Sequence, residues 1–394
     1  MEIPWIPYEF DKSRAEVSAL HLKSFLFPGS QRDGEIEVVV LTEGTTNGLF
    51  KVTHRPSHSR PVAPEAVNET TALVKIYGDG TEITIDRDKE LKFHKILSDH
   101  GLAAPLLVRF QNGHAYQYVA GTVCSVRDMA KERIWRGVAR ELARWHALLP
   151  RPDLPEDQGA HSILQYEPTI WSTAKKWLAT LPDDTDGDKA LKDSLLEEFE
   201  FLKHKLLPNS GQQHSLVFGH GDLLCGNIIL RESADEAQLG NAASVQFIDY
   251  EHSTYCPRAL ELANHFAEWA GFECDYNLLP AVSTRRGFLR EYLMTYRSIA
   301  NQSSHVGESE TFNEELDRLM EEVDMYRGFP GFYWGVCALI QARTASGSID
   351  FDYSGYFERR ISEYWEWRAE EDGSRVRTGQ GMPFREARWA AEHN

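Results

Sequence analysis

Basic residues are scarce in this 394-residue sequence: 42 Lys and Arg stand against 60 Asp and Glu, a formal charge of -18. A protein that grips a phosphate backbone needs a basic face, so nucleic-acid binding is excluded as its main role. Most of that acidity is the ordinary charge of a solvated surface, and the remainder suits a cationic ligand. Cysteine is also sparse. Cys124, Cys225, Cys256, Cys274 and Cys337 form no CxxC pair and are odd in number, which argues against a disulfide framework or a zinc site. None of the 15 histidines falls in an HExxH pattern. No apolar run reaches the roughly 18 residues of a membrane span. The start, "MEIPWIPYEFDKSR", lacks the basic and apolar segments of a signal peptide. These absences lead us to expect a cytoplasmic protein with no membrane span.

What is present is enough to build a large interior. Hydrophobic residues make up 42% and aromatics 11%, which excludes wholesale disorder, and the length fits two domains better than one small core. "EIEVVVLTEGTTNGLFKVTH" reads as strand, turn, strand, and "ALVKIYG" as a third strand. "DRDKELKFHKILSDHG" has helical spacing and a glycine stop. "PLLVRF" and "HAYQYVAG" flank Gln111-Asn112-Gly113 as a hairpin-like pair, and residues 54–71 read as an exposed, Pro-rich loop. Helical periodicity takes over after Gly121: Ile134, Val138, Leu142 and Trp145 share one face, as do Leu191, Leu195, Phe199 and Leu202. Further helices are expected near 260–269, 284–298, 313–325 and 331–344. The predicted class is α+β, with a β-rich lobe over 1–121 and a helical lobe over 122–394.

Chemistry concentrates in "FGHGDLLCGNIIL" and the following "VQFIDYEH". The first has His220-x-Asp222 and then Asn227, between apolar runs. The second is an apolar strand ending at Asp249. Protein kinases space a catalytic Asp, an Asn five residues on, and a strand-end Asp in the same way. One carboxylate receives the acceptor's hydroxyl proton, while the amide oxygen and second carboxylate hold magnesium, which prefers few hard-oxygen protein ligands. His220 is read as a structural hydrogen-bonder behind the loop. Upstream, Thr45, Thr46 and Asn47 lie in a turn of small residues between strands, suited to phosphate contact through backbone N–H groups. The turn is not a GxGxxG, and a plain hairpin explains it equally well. Lys75 within the third strand, paired with Glu90 on the next helix, is a candidate phosphate clamp. Gln117 to Val119 is the candidate adenine hinge.

These segments, with "ELANHFAEW" and "FYWGVCALIQARTASGSIDFDYSGY", resemble the choline/ethanolamine kinase family from about Glu43 to Trp365. The resemblance implies a bilobal protein-kinase-like fold, ATP as co-substrate with Mg²⁺, Asp222 as base, and Asn227 and Asp249 as metal ligands. "TEITIDRD" and "AEWAGFECDYNLLP" are similar to the ethanolamine-specific branch. This implies phosphorylation of ethanolamine, the first step of CDP-ethanolamine phospholipid synthesis, with choline kinase or a dual enzyme as the alternative. A homodimer is compatible with the resemblance, though no interface is identified.

The substrate-contact candidates are Glu251, His252, Glu268, Asp275, Trp334 and Tyr356. Choline's quaternary ammonium is best held by an aromatic cage. Here His252 stands where the family usually has Tyr, and Cys337 where it has a second Trp. A primary ammonium prefers oxygen acceptors, which Glu268 and Asp275 offer. Glu43 beside the phosphate turn, Glu261 in place of Asp, and two extra residues near Gly347 are further departures. A relative acting on antibiotics would want a carboxylate-lined pocket, and a non-catalytic scaffold would have no need of all three catalytic positions.

Overall fold

The computed structural model describes residues 3–29, 34–41, 47–55, 70–150, 169–207, 216–231, 241–300, 311–344 and 351–393. Thr45, Thr46, Glu43, Gly347 and the loop from 56 to 69 lie outside them. The chain divides into two units: Met1–Glu82, Arg87–Thr122 and Thr344–Phe351 form one, and Ile83–Asp86, Val123–Arg343 and Asp352–Asn394 form the other.

The N-terminal unit is built on a six-stranded sheet. Its strands are β1 (Trp5–Ile6), β2 (Glu35–Leu41), β3 (Asn47–Arg55), β4 (Thr71–Tyr77), β5 (Leu106–Phe110) and β6 (Gly113–Gln117). Their spatial order is β1-β5-β6-β4-β3-β2, parallel only between β1 and β5. Helix α1 (Ala15–Leu26) buries Ala19, Leu22 and Leu26 in a cluster with Phe10, Phe50, Val52, Val74, Ile76, Val108 and Phe110. No side-chain cap opens α1, which is why its start is not legible in the sequence. Helix α2 (Arg87–Asp99) matches its expected apolar face, burying Leu91, Phe93 and Leu97. Because β4 lies between β3 and β6, Lys75 is in a central strand, opposite His114 and Leu49, and not on an edge.

The second unit is mainly helical. After β7 (Thr122–Val123) come α3 (Glu132–Leu148), α4 (Ile170–Thr180) and α5 (Asp186–Leu206). The expected face of α3 is buried: Ile134, Val138, Leu142 and Trp145. Four short strands follow, β8 (Leu216–Gly219), β9 (Ile228–Arg231), β10 (Ser244–Phe247) and β11 (Thr254–Pro257). The rest is α6 (Arg258–Ala267), α7 (Val282–Ala300), α8 (Phe312–Tyr326), α9 (Phe329–Thr344), α10 (Tyr353–Glu371), α11 (Ser374–Arg377) and α12 (Phe384–Trp389). No helix among the described residues is long and apolar enough to cross a membrane.

Helices α9 and α10 cross at glycines. A Cβ on Gly331 would lie 2.8 Å from the Arg360 carbonyl oxygen and 3.0 Å from the Tyr364 nitrogen. One on Gly328 would enter the Trp367 ring. Only residues without a side chain allow this approach, and it brings Trp334 on α9 and Arg360 on α10 into the same layer. We predict that Gly331→Ala lowers unfolding stability by about 1–3 kcal/mol, because the new methyl meets backbone rather than a yielding side chain. Urea titration gives the value, and an unchanged midpoint would show that the crossing has slack.

Candidate active site

In the larger unit, two short antiparallel ladders end side by side. The β8/β11 pair closes with Gly219 opposite Thr254, and the β9/β10 pair with Ile228 opposite Phe247. The chain between these ends is 220–227 on one side and 248–253 on the other, so both polar segments of the motif emerge at the same place. The segments are then stitched together. The Ile248 N–H donates to the Asn227 carbonyl at 3.0 Å. The Asn227 amide donates through Nδ2 to the Asp222 carbonyl (2.8 Å) and to Asp222 Oδ2 (3.2 Å). Asp249 adopts a left-handed backbone (φ 63°), which its short polar side chain tolerates.

Helix α6 holds the loop from behind. Glu261 Oε1 accepts from the His220 N–H at 2.9 Å, and both its oxygens lie within 3.3 Å of the Gly221 nitrogen. Asn264 Nδ2 donates to the Gly221 carbonyl at 2.9 Å. His265 Nδ1 lies 2.8 Å from the Leu223 carbonyl, to which it donates, since its Nε2 accepts from Trp269 at 3.3 Å. Gly221 has φ 78°, and a Cβ there would lie 2.3 Å from the His252 carbonyl oxygen, so glycine is required. His220 is fully buried, stacks on Trp145 and donates through Nε2 to the Ile248 carbonyl at 2.9 Å. Burial pushes its pKa down to about 4, so it is neutral at pH 7, as expected for a structural histidine.

The electrostatics of Asp222 are unusual. Burial first, then the carboxylates of Glu268, Asp249 and Glu251, push its pKa well above the usual range, while Asn227 pulls it down. Such a cluster is short of positive charge. The Asn227 amide spends its NH₂ on Asp222, so its Oδ1 and the carboxylate of nearby Asp249 are the hard oxygen donors at this place. This donor set fits a small divalent cation.

The surrounding wall is part aromatic and part acidic. Trp334 donates its indole N–H to Asn264 Oδ1 at 2.9 Å, which ties it to the loop. His252 meets Trp334 edge-on at 5.1 Å and Trp177 at 6.1 Å. Glu251 is buried, and Cys337 is buried close enough to feel the charges of Asp222 and Glu251. Glu268 is buried and accepts from Arg360 at 3.0 Å, and Tyr356 is buried near the same arginine. Asp275 is placed differently: it is exposed and caps its own turn, accepting from Asn277 N–H (3.1 Å) and Nδ2 (2.8 Å).

In the N-terminal unit, Lys75 Nζ donates to Glu90 Oε1 at 2.7 Å, with each side chain 3% exposed. Arg87, not singled out in the sequence, donates to the other Glu90 oxygen at 3.0 Å and reaches Asn47 Oδ1 at 2.8 Å and Thr81 at 2.7 Å. Its i,i+3 spacing to Glu90 was the available signal. Gln117 ends β6 with its N–H on the Pro105 carbonyl, and Val119 is buried just beyond. The α6 anchors were legible as polar residues at i, i+3 and i+4 in the otherwise apolar "LELANHF".

The Glu261 carboxyl yields a pH prediction. Burial raises its pKa from 4.5 to about 7, against the pull of the Gly221 and His220 N–H groups. The folded protein therefore keeps a proton that the unfolded chain loses. The associated stability is full below about pH 4.5 and disappears as pH rises to about 7, a change of roughly 3 kcal/mol. Glu261→Gln should lack this slope in urea unfolding measured across that range. Parallel curves for the two proteins would mean that Glu261 titrates normally.

The sequence profile of the choline/ethanolamine kinase family matches residues 38–365. Ethanolamine kinase 1 of Homo sapiens is 32% identical over 376 residues, covering 93% of this chain and 75% of that protein. Ethanolamine kinase 1 of Mus musculus is 33% identical over 346 residues and 85% of each chain. Among solved structures, a Plasmodium vivax ethanolamine kinase superposes with TM-score 0.65 at 24% identity, covering 89% of this chain and 87% of that one. A Cryptosporidium parvum choline kinase gives 0.63 at 19% identity, covering 94% and 97%. These two likenesses establish the fold, a protein-kinase-like α+β class. The profile match and the curated relatives together place this chain in the choline/ethanolamine kinase family of phosphotransferases.

Proposed function

We propose that this protein phosphorylates the hydroxyl of ethanolamine with ATP, forming phosphoethanolamine and ADP at the entry to CDP-ethanolamine phospholipid synthesis. The observation that carries the reading is the acidic cluster of half-buried Asp222 with buried Glu251 and Glu268 beside Trp334, where His252 and Cys337 stand in place of cage aromatics. Such a wall favours a small primary ammonium, which donates hydrogen bonds, over a quaternary one, which cannot. The relatives named ethanolamine kinase support the same choice.

In this reading Asp222 takes the hydroxyl proton as the ethanolamine oxygen attacks the γ-phosphorus. The bond from that phosphorus to the β-phosphate oxygen breaks, and ADP leaves. Burial and the neighbouring carboxylates favour the protonated form of Asp222, so a cation entering the cluster is what frees its carboxylate to act as the base. Asn227 and Asp249 are assigned as holders of Mg²⁺, which when bound offsets charge on the phosphates. Asn47, Lys75 and Glu90, with Thr45 and Thr46, are assigned to the phosphates, and Gln117 and Val119 to adenine. Glu251, His252, Glu268, Trp334 and Tyr356 are assigned to the substrate, while Asp275, exposed and capping its own turn, is left out of that set. This divides the work between a nucleotide-holding lobe over 1–121 and a catalytic lobe over 122–394. A cytoplasmic location and a homodimer complete the proposal.

Asp222→Ala should lower kcat about 10²–10⁴-fold if the residue is the general base. Near wild-type turnover would reject that role. Asp249→Ala should lose activity at every magnesium concentration. The ratio of kcat/KM for ethanolamine and choline tests the substrate, and a choline preference would overturn the argument from His252 and Cys337.

A further inference from the structure

Arg360 is fully buried on α10. Its Nη2 donates to Glu268 Oε1 at 3.0 Å, its Nη1 lies 3.6 Å from Glu363 Oε2, and its guanidinium sits 5.8 Å from the Tyr356 ring. Glu363 is also buried, and its Oε2 lies 4.0 Å from Arg385 on α12. Arg385 and Arg327 both pair with Glu386. A chain of buried charges thus runs from the C-terminal helix to Glu268, and Glu268 is the foremost charge acting on Asp222. Arg385 and Glu386 lie beyond residue 365, where the family match stops.

The alternation of signs is the informative feature. A lone carboxylate buried as Glu268 is would take up a proton and cease to be an ionic acceptor. Burial raises the Glu268 pKa, Arg360 pulls it back down, and the arginine occupies only one Glu268 oxygen. Glu363 in turn keeps Arg360 from being a lone buried cation, and Arg385 approaches the same Glu363 oxygen. Gly331 sets the arrangement, since its missing side chain lets the α10 backbone at Arg360 pass close to α9, three residues before Trp334.

We propose that Arg360 is a positioning residue for substrate recognition: its ion pair orients Glu268 and favours its charged form, so that the carboxylate accepts the ammonium of the amino alcohol, while Arg360 does not touch the substrate. The inference rests on the ethanolamine reading above and adds the residue through which Glu268 becomes an acceptor.

A double-mutant cycle on the full chain tests it. Arg360→Met should raise KM for ethanolamine about tenfold or more, leave KM for ATP within about twofold, and lower kcat less than about threefold. Arg360→Lys, which keeps the charge, should recover part of the loss. Glu268→Gln should raise KM similarly, and R360M/E268Q should be no worse than E268Q alone, because Arg360 acts only through Glu268. Multiplying effects, or KM for ATP rising in step, would overturn the proposal and make the pair a packing feature. If R360M does not fold, E268Q against R360M/E268Q decides alone, since the double variant keeps the Glu363–Arg385 pair. A wild-type preference for choline would sink the ethanolamine reading, yet the same cycle read on the choline KM would still decide the coupling.

Discussion

The site depends on the grip of one helix on one loop. Residues 220–223 carry backbone N–H and C=O groups that no ladder satisfies, and all but the half-buried Asp222 are buried. Glu261, Asn264 and His265 supply the missing partners from successive turns of α6. An orphaned buried polar group costs about 1–3 kcal/mol, so the loop adopts the conformation in which these contacts are made together. The base and the amide that follows it inherit their positions from that backbone. The Glu261 carboxyl is accommodated where Gly219 leaves room, since a Cβ there would lie 2.7 Å from its Oε2.

Both units handle buried charge in the same way. Lys75 in the centre of a sheet is tolerable only because Glu90 meets it, and Glu90 is shared with Arg87. Glu268 is shared between Arg360 and the neighbourhood of the base. Pairs of this kind do not maximise stability, since desolvation offsets much of their attraction. Their value lies in geometry: a buried charge with fixed partners cannot wander. In the acidic cluster around Asp222 carboxylates outnumber the cations that pair with them, which under the proposed function suits cationic ligands.

Under the proposed function, the aromatic wall carries specificity by what it lacks. Trp334 is fixed by its hydrogen bond to Asn264, so one cage face remains rigid. His252 and Cys337 present less ring surface than the residues usual at those places, while Glu251 and Glu268 are close at hand and buried. Weaker cation–π contact beside stronger ionic acceptance shifts preference toward an ammonium that can donate hydrogen bonds.

Much of this was legible in the chain. The spacing Asp222-x₄-Asn227 and the strand ending at Asp249 are local patterns, as is the apolar face of α3, because helix and strand periodicities depend only on near neighbours. The family resemblance added the substrate wall. Other features could not be read. Helix α1 has no capping signal, and Asp275 looked like an acceptor in the sequence but spends its carboxylate on its own turn. Arg87 and Arg360 were two arginines among many. Sequence by itself determined which chemical groups are present and which of them recur at helix or strand spacing. Only the tertiary structure decided that Lys75 is central, that Glu268 is paired and that α6 grips the loop. Those facts depend on contacts between residues far apart in the chain, which local propensity does not encode.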